Sequence, residues 1–371
     1  MPQGIRHFRG KDFRATLSAC GRIPSVTEVL IVLFPIERQD VINTRNLTRT
    51  FHGPGESEVR AVDGIDLTVA REEVLAILGP NGAGKTTLMR MLTTLLPPTG
   101  GSAQIGGHDV QREPGQVRRV IGYVGQGNSA GHTQRAMDEV VTQARIHGLD
   151  RKSARIRAGE LFTALGLDGL GKRKSQAMSG GQRRRLDLAM GLVHQPALLF
   201  LDEPTTGLDP HNRANLWDHI ARLRAESGMT IVVTTHYLDE ADQIADRVVI
   251  VDHGRIIADG SPEALKSEHA GDRVTLEAGD PARAGELAAL ARRTECVNRV
   301  THTGTTVVAH AANGPKAVPA LVTAAQARGI DVVSAATRVP TLDDVFLELT
   351  GRSLRDPGTA ESGNHDPEES R

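Results

Sequence analysis

The octapeptide Gly79-Pro80-Asn81-Gly82-Ala83-Gly84-Lys85-Thr86 constrains this chain more than any other segment. It fits G-x-x-x-x-G-K-[ST], follows an apolar run at 73–78 and precedes a helix-forming stretch at 87–96. Strand, glycine loop and helix in this order make a phosphate-binding unit. The glycines let successive backbone N–H groups converge on phosphate oxygens, and the helix that follows turns its positive end toward the same anion. Lys85 can reach the β- and γ-phosphates, and the Thr86 hydroxyl can ligate Mg²⁺.

A second apolar run, Leu198-Leu199-Phe200-Leu201, ends in Asp202-Glu203. A carboxylate at the end of a buried strand is costly unless something pairs with it. A metal ion is a good partner, so Asp202 is a candidate Mg²⁺ acceptor. Glu203 points to the other side of the strand end, where it can orient or deprotonate a water. A third apolar strand is expected at 230–234. The stretch between the phosphate loop and these strands, 127–177, is rich in Arg, Ala and Leu and reads as helices. Strands alternating with helices imply an α/β core with a parallel sheet.

The chain has 371 residues, a formal charge of −1 and 39% hydrophobic residues, enough for about two domains with a real core. Its near-zero charge gives no reason to expect a nucleic-acid or membrane-surface binder. The two cysteines, Cys20 and Cys296, are too far apart for a metal-ligand spacing, which excludes a disulfide framework and fits a reducing cytoplasm. No apolar run approaches the roughly 18–20 residues that span a bilayer, so the chain is expected to be soluble by itself. Residues 1–38 lack periodicity and are expected to be a disordered arm or the product of a start codon placed too early. Their basic start and short apolar run make a poor signal peptide. After Gly271 short strands (274–277, 305–309, 331–335) alternate with Ala-rich helices, the pattern of a small α+β domain. Residues 351–371 are rich in Gly, Glu, Asp, Ser and Pro and are expected to be disordered.

Met178-Ser179-Gly180-Gly181-Gln182 precedes a further helix. Ser179 is a good N-cap, and the glycines expose the helix N-terminus as a second anion site. The Arg183–Arg185 run that follows reads as a solvated helix face. Phosphate loop, SGGQ and an apolar strand ending in Asp-Glu, in this order, resemble the ATP-binding cassette (ABC) transporter ATPases over roughly 40–350. The carboxy-terminal stretch Pro340-Thr341-Leu342-Asp343-Asp344-Val345-Phe346-Leu347-Glu348-Leu349 resembles the appended domain of daunorubicin-resistance-type drug exporters. Leu342, Val345, Phe346 and Leu349 fall at i, i+3, i+4 and i+7, one apolar face of a docking helix.

The resemblance implies a P-loop NTPase core with a helical subdomain and an antiparallel β subdomain at 39–268, then the small α+β domain at 270–350. It implies ATP bound by Phe51, which would stack on adenine, and by Gly79, Pro80, Asn81, Gly82, Ala83, Gly84, Lys85, Thr86 and Thr87. It implies Mg²⁺ on Thr86, Gln126 and Asp202, with Glu203, His236 and Gln126 as the catalytic set. Ser179, Gly180, Gly181 and Gln182 would grip the ATP of an opposite subunit, and Asp209 would line the dimer interface. The implied partners are a second ATPase subunit, in a homodimer, and a separate transmembrane permease holding the chain at the cytoplasmic face of the membrane. The implied cargo is a drug or antibiotic-like compound. Where the family carries Glu-Asn-Leu after its glutamine loop, this chain has Ala136-Met137-Asp138-Glu139-Val140, and Met137 and Val140 are expected to face the permease. The rivals are an exporter of another substrate, a soluble cassette ATPase of translation or DNA repair, and a non-hydrolysing regulatory subunit. A soluble cassette usually carries two cassettes or a long coiled-coil insertion, and a regulatory subunit would lack Glu203 or an intact signature.

Overall fold

The computed structural model describes residues 40–52, 58–127, 130–131, 133–295, 297–311 and 313–351. The arm at 1–38, both cysteines and the tail at 352–371 lie outside them.

A six-stranded sheet organises the larger part of the chain, in the order β10-β9-β3-β8-β7-β6. Its members are β3 (Val74–Leu78), β6 (Ile121–Val124), β7 (Leu198–Asp202), β8 (Thr230–Thr234), β9 (Arg247–Asp252) and β10 (Arg255–Gly260). All pair in parallel except β10, which runs antiparallel to β9. Strands β3, β7 and β8 are buried along their whole length, as parallel strands covered on both faces are. Side chains alternate between two cores: Ala76, Leu78, Leu199 and Leu201 enter one, while Leu75, Ile77, Leu198 and Phe200 enter the other.

The second of these cores is shared with an antiparallel sheet, β2-β1-β4-β5, made of β1 (Asp40–His52), β2 (Glu58–Ala70), β4 (Gly100–Ile105) and β5 (His108–Asp109). Helices α1 (Lys85–Leu92) and α2 (Pro114–Val120) fill the space between, through Leu88, Met89 and Val117. The stretch expected to be helical to 96 stops at Leu92. Thr93 caps the turn through Met89 O, Thr94 turns to φ 63°, and Pro97-Pro98 disfavours helix just beyond.

On the opposite face, α3 (Ala136–Ile146), α4 (Arg151–Ala164) and α5 (Gly180–Leu192) form a helical layer, joined by α6 (Pro210–Ser227) and α7 (Leu238–Ile244). After α8 (Pro262–Leu265) comes a third sheet, β12-β13-β11-β14. It comprises β11 (Asp272–Ala278), β12 (Val297–Thr303), β13 (Thr306–Ala311) and β14 (Val332–Arg338). Helices α9 (Ala284–Ala291) and α10 (Gly314–Gln326) cover one face with a separate core. Strand β12 carries no apolar alternation and is not announced by the sequence. Its place comes from antiparallel pairing with β13 across the turn at Gly304, φ 57°.

The last helix, α11 (Leu342–Thr350), leaves the third sheet and returns to the cassette. Leu342, Val345 and Phe346 are buried in the core of the six-stranded sheet and its helical layer, not in the core of the third sheet. Ion pairs Arg299–Glu348 and Arg338–Asp344 tie its polar face back to β12 and β14. The Phe346 side chain is fully buried, so Phe346→Ala is expected to cost about 3–5 kcal/mol in denaturant unfolding. Leu347→Ala, on the exposed side of the same turn, should stay within about 0.5 kcal/mol of the parent.

Candidate active site

The loop between β3 and α1 is held by contacts that demand glycine. Gly84 has φ 101°, and a Cβ there would collide with the carbonyl oxygen of Ala61. Gly79 is equally confined, against Val251 O. The Lys85 ammonium, almost wholly buried, donates to Gly79 O at 2.7 Å and Pro80 O at 3.0 Å. Burial pulls its pKa below the usual lysine value, while the charges of Glu203 and Asp202 oppose that shift. The loop, from Asn81 to Thr87, lines a cavity of about 390 Å³ together with Ala61, Gln126 and Glu203.

Asp202 lies at the end of β7, 1% exposed. Its Oδ1 accepts from Thr234 Oγ1 at 2.7 Å, at the end of the neighbouring β8, and from Thr86 Oγ1 at 3.4 Å. The chain then turns sharply. Glu203 adopts φ 47°, rare for a residue with a side chain, and its N–H donates to Thr234 O and Oγ1 at 3.1 and 3.0 Å. The turn aims the Glu203 carboxylate at the cavity, with Oε2 accepting from Thr206 Oγ1 at 3.1 Å and lying 3.4 Å from His236 Nδ1. Thus Lys85, Thr86, Gln126, Asp202, Glu203 and His236 converge, although they come from four separate segments.

The other expected residues lie apart from this cavity. Ser179 caps α5 in a reciprocal box: its hydroxyl accepts from Gln182 N at 3.3 Å, and its own N–H donates to Gln182 Oε1 at 3.0 Å. Ser179 and Gly180 are exposed, whereas Gly181 is buried against Asn212, where a Cβ would meet the amide oxygen. Asp209 caps α6 through Asn212 N and Nδ2 at 2.9 and 2.6 Å, bonds that hold its carboxyl below the usual aspartate range. Residues 179–182, the signature segment, are therefore packed against the start of α6 that Asp209 caps, but none of them lines the cavity. Phe51, at the end of β1, is 39% exposed with the Arg49 guanidinium 4.8 Å from its ring centre.

No cluster of three His, Cys, Asp or Glu fit to hold a metal occurs among the described residues. Asp202 and Thr86 nonetheless present oxygen donors side by side next to the cavity. That set suits Mg²⁺, which needs few protein ligands and completes its shell with phosphate oxygens and water.

Residues 62–206 match the ABC transporter family, and residues 260–350 match the family described as ATP-binding protein DrrA1-3-like, C-terminal domain. The chain is 44% identical over 303 residues to daunorubicin resistance ATP-binding protein DrrA3 of Streptomyces coeruleorubidus, covering 80% of this chain and 93% of that protein. It is 40% identical over 325 residues to daunorubicin/doxorubicin resistance ATP-binding protein DrrA of Streptomyces peucetius, covering 88% and 97%. The chain belongs to the ATP-binding subunits of ABC transporters, in the daunorubicin-resistance group. A solved ATP-binding cassette, in a dimeric post-hydrolysis state with ADP and Pi, aligns with TM-score 0.55 and 26% identity, over 59% of this chain and 98% of that one. This ABC subunit is an ATPase of an exporter, and the match at 260–350 speaks against the soluble cassettes of translation or repair. No helix among its described residues is long and apolar enough to cross a membrane.

Two expectations for this ABC subunit are overturned. Val140 is fully buried in the core and is not presented to a partner, whereas Met137 beside Gly171 is only half-buried. Arg184 is not on a solvated face: it is 7% exposed. Its Nε donates to Pro204 O at 2.7 Å, Nη1 to Gly125 O at 2.6 Å, and Nη2 to Asp202 O and Glu203 O at 3.3 and 3.4 Å. Burial lowers its pKa, and Asp187 and Asp202 oppose that. One guanidinium thus joins the signature helix to the turn carrying Asp202 and Glu203 and to the residue before Gln126. A signal did exist: Gly181, Arg184, Leu188 and Gly191 share one helical stripe, and all are buried. Arg184→Ala is expected to lower stability by at least about 1–3 kcal/mol, since buried carbonyls lose their donor. Turnover should fall with it, and Arg184→Lys, lacking the fork, should recover only part of each. An unchanged denaturation midpoint for Arg184→Ala would show that those carbonyls find other donors.

Proposed function

We propose that this subunit binds MgATP in the cavity over the glycine loop and hydrolyses it at Glu203, so driving efflux of a drug or antibiotic-like compound through a separate permease. The observation that carries the reading is the convergence of a buried Lys85, a buried Asp202 and a cavity-facing Glu203 on one glycine-lined space. In this reading the loop amides and Lys85 take up the β- and γ-phosphates. Thr86 and Asp202, with Gln126, hold magnesium, which when bound offsets phosphate charge. Glu203 accepts the proton of the attacking water, and His236, 3.4 Å away, steadies that carboxylate and senses the γ-phosphate. Phe51 offers its ring to adenine.

The signature residues lie outside the cavity of their own chain, so Ser179 and Gly181 act on the ATP of a second copy. Each nucleotide is then enclosed between two subunits of a homodimer, with Asp209 at the interface; that the cassette this chain resembles was solved as a dimer with ADP and Pi supports this. The relatives' names refer to daunorubicin and doxorubicin resistance, which supports a drug-like cargo. Docking on the permease holds the chain at the cytoplasmic face of the membrane. The contact centres on Ile146 (72% exposed), in the helical region after Gln126, with Leu95 (57% exposed) nearby on a cavity that His147 and Met190 also line.

Glu203→Gln should retain ATP binding and lose about 10²–10⁴ in turnover, measured by phosphate release. Lys85→Ala should weaken ATP affinity itself; unchanged affinity would contradict the phosphate cradle. Ile146→Asp should spare basal ATPase activity and release the protein from membranes of cells that express the permease. Equal membrane sedimentation with and without the permease would refute docking.

A further inference from the structure

Glu240, on α7, is a buried carboxylate that the proposed chemistry does not use. Three segments meet on it. From the loop after Glu203, Thr205 Oγ1 donates to Glu240 Oε2 at 2.8 Å. From the segment carrying His236, Thr235 Oγ1 lies 3.5 Å from the same oxygen while accepting from Tyr237 N at 3.0 Å. From the helix that Asp209 caps, Arg213 Nη1 lies 3.7 Å from Oε1, and the Trp217 indole lies against the same carboxylate. Oε1 and Trp217 Nε1 both lack a completed hydrogen bond. The Arg213 guanidinium also covers the Tyr237 ring at 4.3 Å, and that ring contacts His236 at 4.1 Å.

We propose that Glu240 is a positioning residue for ATP hydrolysis: its carboxylate yokes the His236 segment to the loop after Glu203 and to the helix behind Asp209. The inference rests on the reading of His236 and Glu203 given above. Burial raises the Glu240 pKa, helped by Asp239 and opposed by Thr205, Trp217 and Arg213. A hydrophobic residue would fill this space without that desolvation cost, but it could offer no acceptor to the hydroxyls of two loops and no charge to Arg213. The mechanical consequence is that His236 cannot shift against Glu203 without disturbing a buried junction shared with the Asp209 helix.

Glu240→Gln tests this, because its amide N–H₂ offers donors where Arg213 and Trp217 need an acceptor. In the full-length protein, kcat should fall about 10–100-fold, the scale of a misplaced catalytic group, with KM for ATP within about twofold of the parent. The deciding arm is the same change in a His236→Ala background. If Glu240 acts through His236, the second substitution adds no further loss there. Thr205→Val, which removes one donor without touching the charge, should give a smaller loss of the same kind and decides the matter should Glu240→Gln fail to fold. Parent-like kcat in Glu240→Gln, or an equal loss with and without His236, overturns the proposal and leaves the site reading standing. Parent-like turnover in His236→Ala alone overturns both.

Discussion

The carboxylate of Asp202 is the constraint on which the rest of the site depends. It is 1% exposed at the end of a fully buried strand, where a lone negative charge is untenable. Hydroxyls from Thr234 and Thr86 approach its Oδ1, drawing the end of β8 and the start of α1 to one point. Those two bonds fix where the phosphate loop stands against the sheet. They also fix the turn that follows, because Thr234 that donates to Asp202 also accepts from the Glu203 N–H. The positive φ of Glu203 is thereby held in place, and strain of that kind persists only where the surroundings over-determine it.

Two buried cations complete the arrangement in the same manner, through backbone carbonyls and not through ion pairs. Lys85 is held by Gly79 O and Pro80 O. Arg184 is held by the carbonyls of Gly125, Asp202, Pro204 and, more loosely, Glu203. Carbonyl bonding leaves the carboxylates of Asp202 and Glu203 unclaimed by either cation. It also makes loop positions depend on one another: moving the turn at Pro204 strains the bond to Gly125, one residue from Gln126. Helix α5, whose N-terminal residues do not line the cavity of their own chain, is thus bonded through Arg184 to the segments that do.

The parts legible in the sequence are those whose chemistry is local. Gly79 to Thr86 announce a phosphate loop because the backbone needs glycine there, and Leu198 to Asp202 announce a buried strand end because four apolar residues in a row run into a carboxylate. The burial of Arg184 and of Val140 is illegible in the sequence for the same reason. Both lie on helices, where burial depends on which face meets the neighbouring layer, and three arginines in succession look solvated until the register of α5 is known. Strand β12 is legible only from its partner, since Asn298, Arg299, Thr301 and His302 carry no apolar alternation and the pairing with β13 supplies the order. Glu240 left no trace of its role because its contacts come from residues 205, 213, 217 and 235 on three other segments.

The route of α11 ties the small third sheet to the helix that follows His236. A chain that had only to add a domain could end at β14, in its own core. Here it continues into the cassette core, where Leu342, Val345 and Phe346 join the cluster that also holds Leu238 and Ala241 of α7, and α11 lies against α7. Helix α7 begins directly after His236 and carries Glu240. A displacement of α7 must therefore either carry α11 along or open a cavity in a close-packed core, and the second is costly. Glu348 and Asp344 on the other face of α11 pair with Arg299 and Arg338, so the same helix also touches β12 and β14. Those ion pairs are exposed and individually weak, so they orient the third sheet on α11 without locking it. The firm half of the linkage is apolar and faces the histidine segment; the loose half is ionic and faces the third sheet.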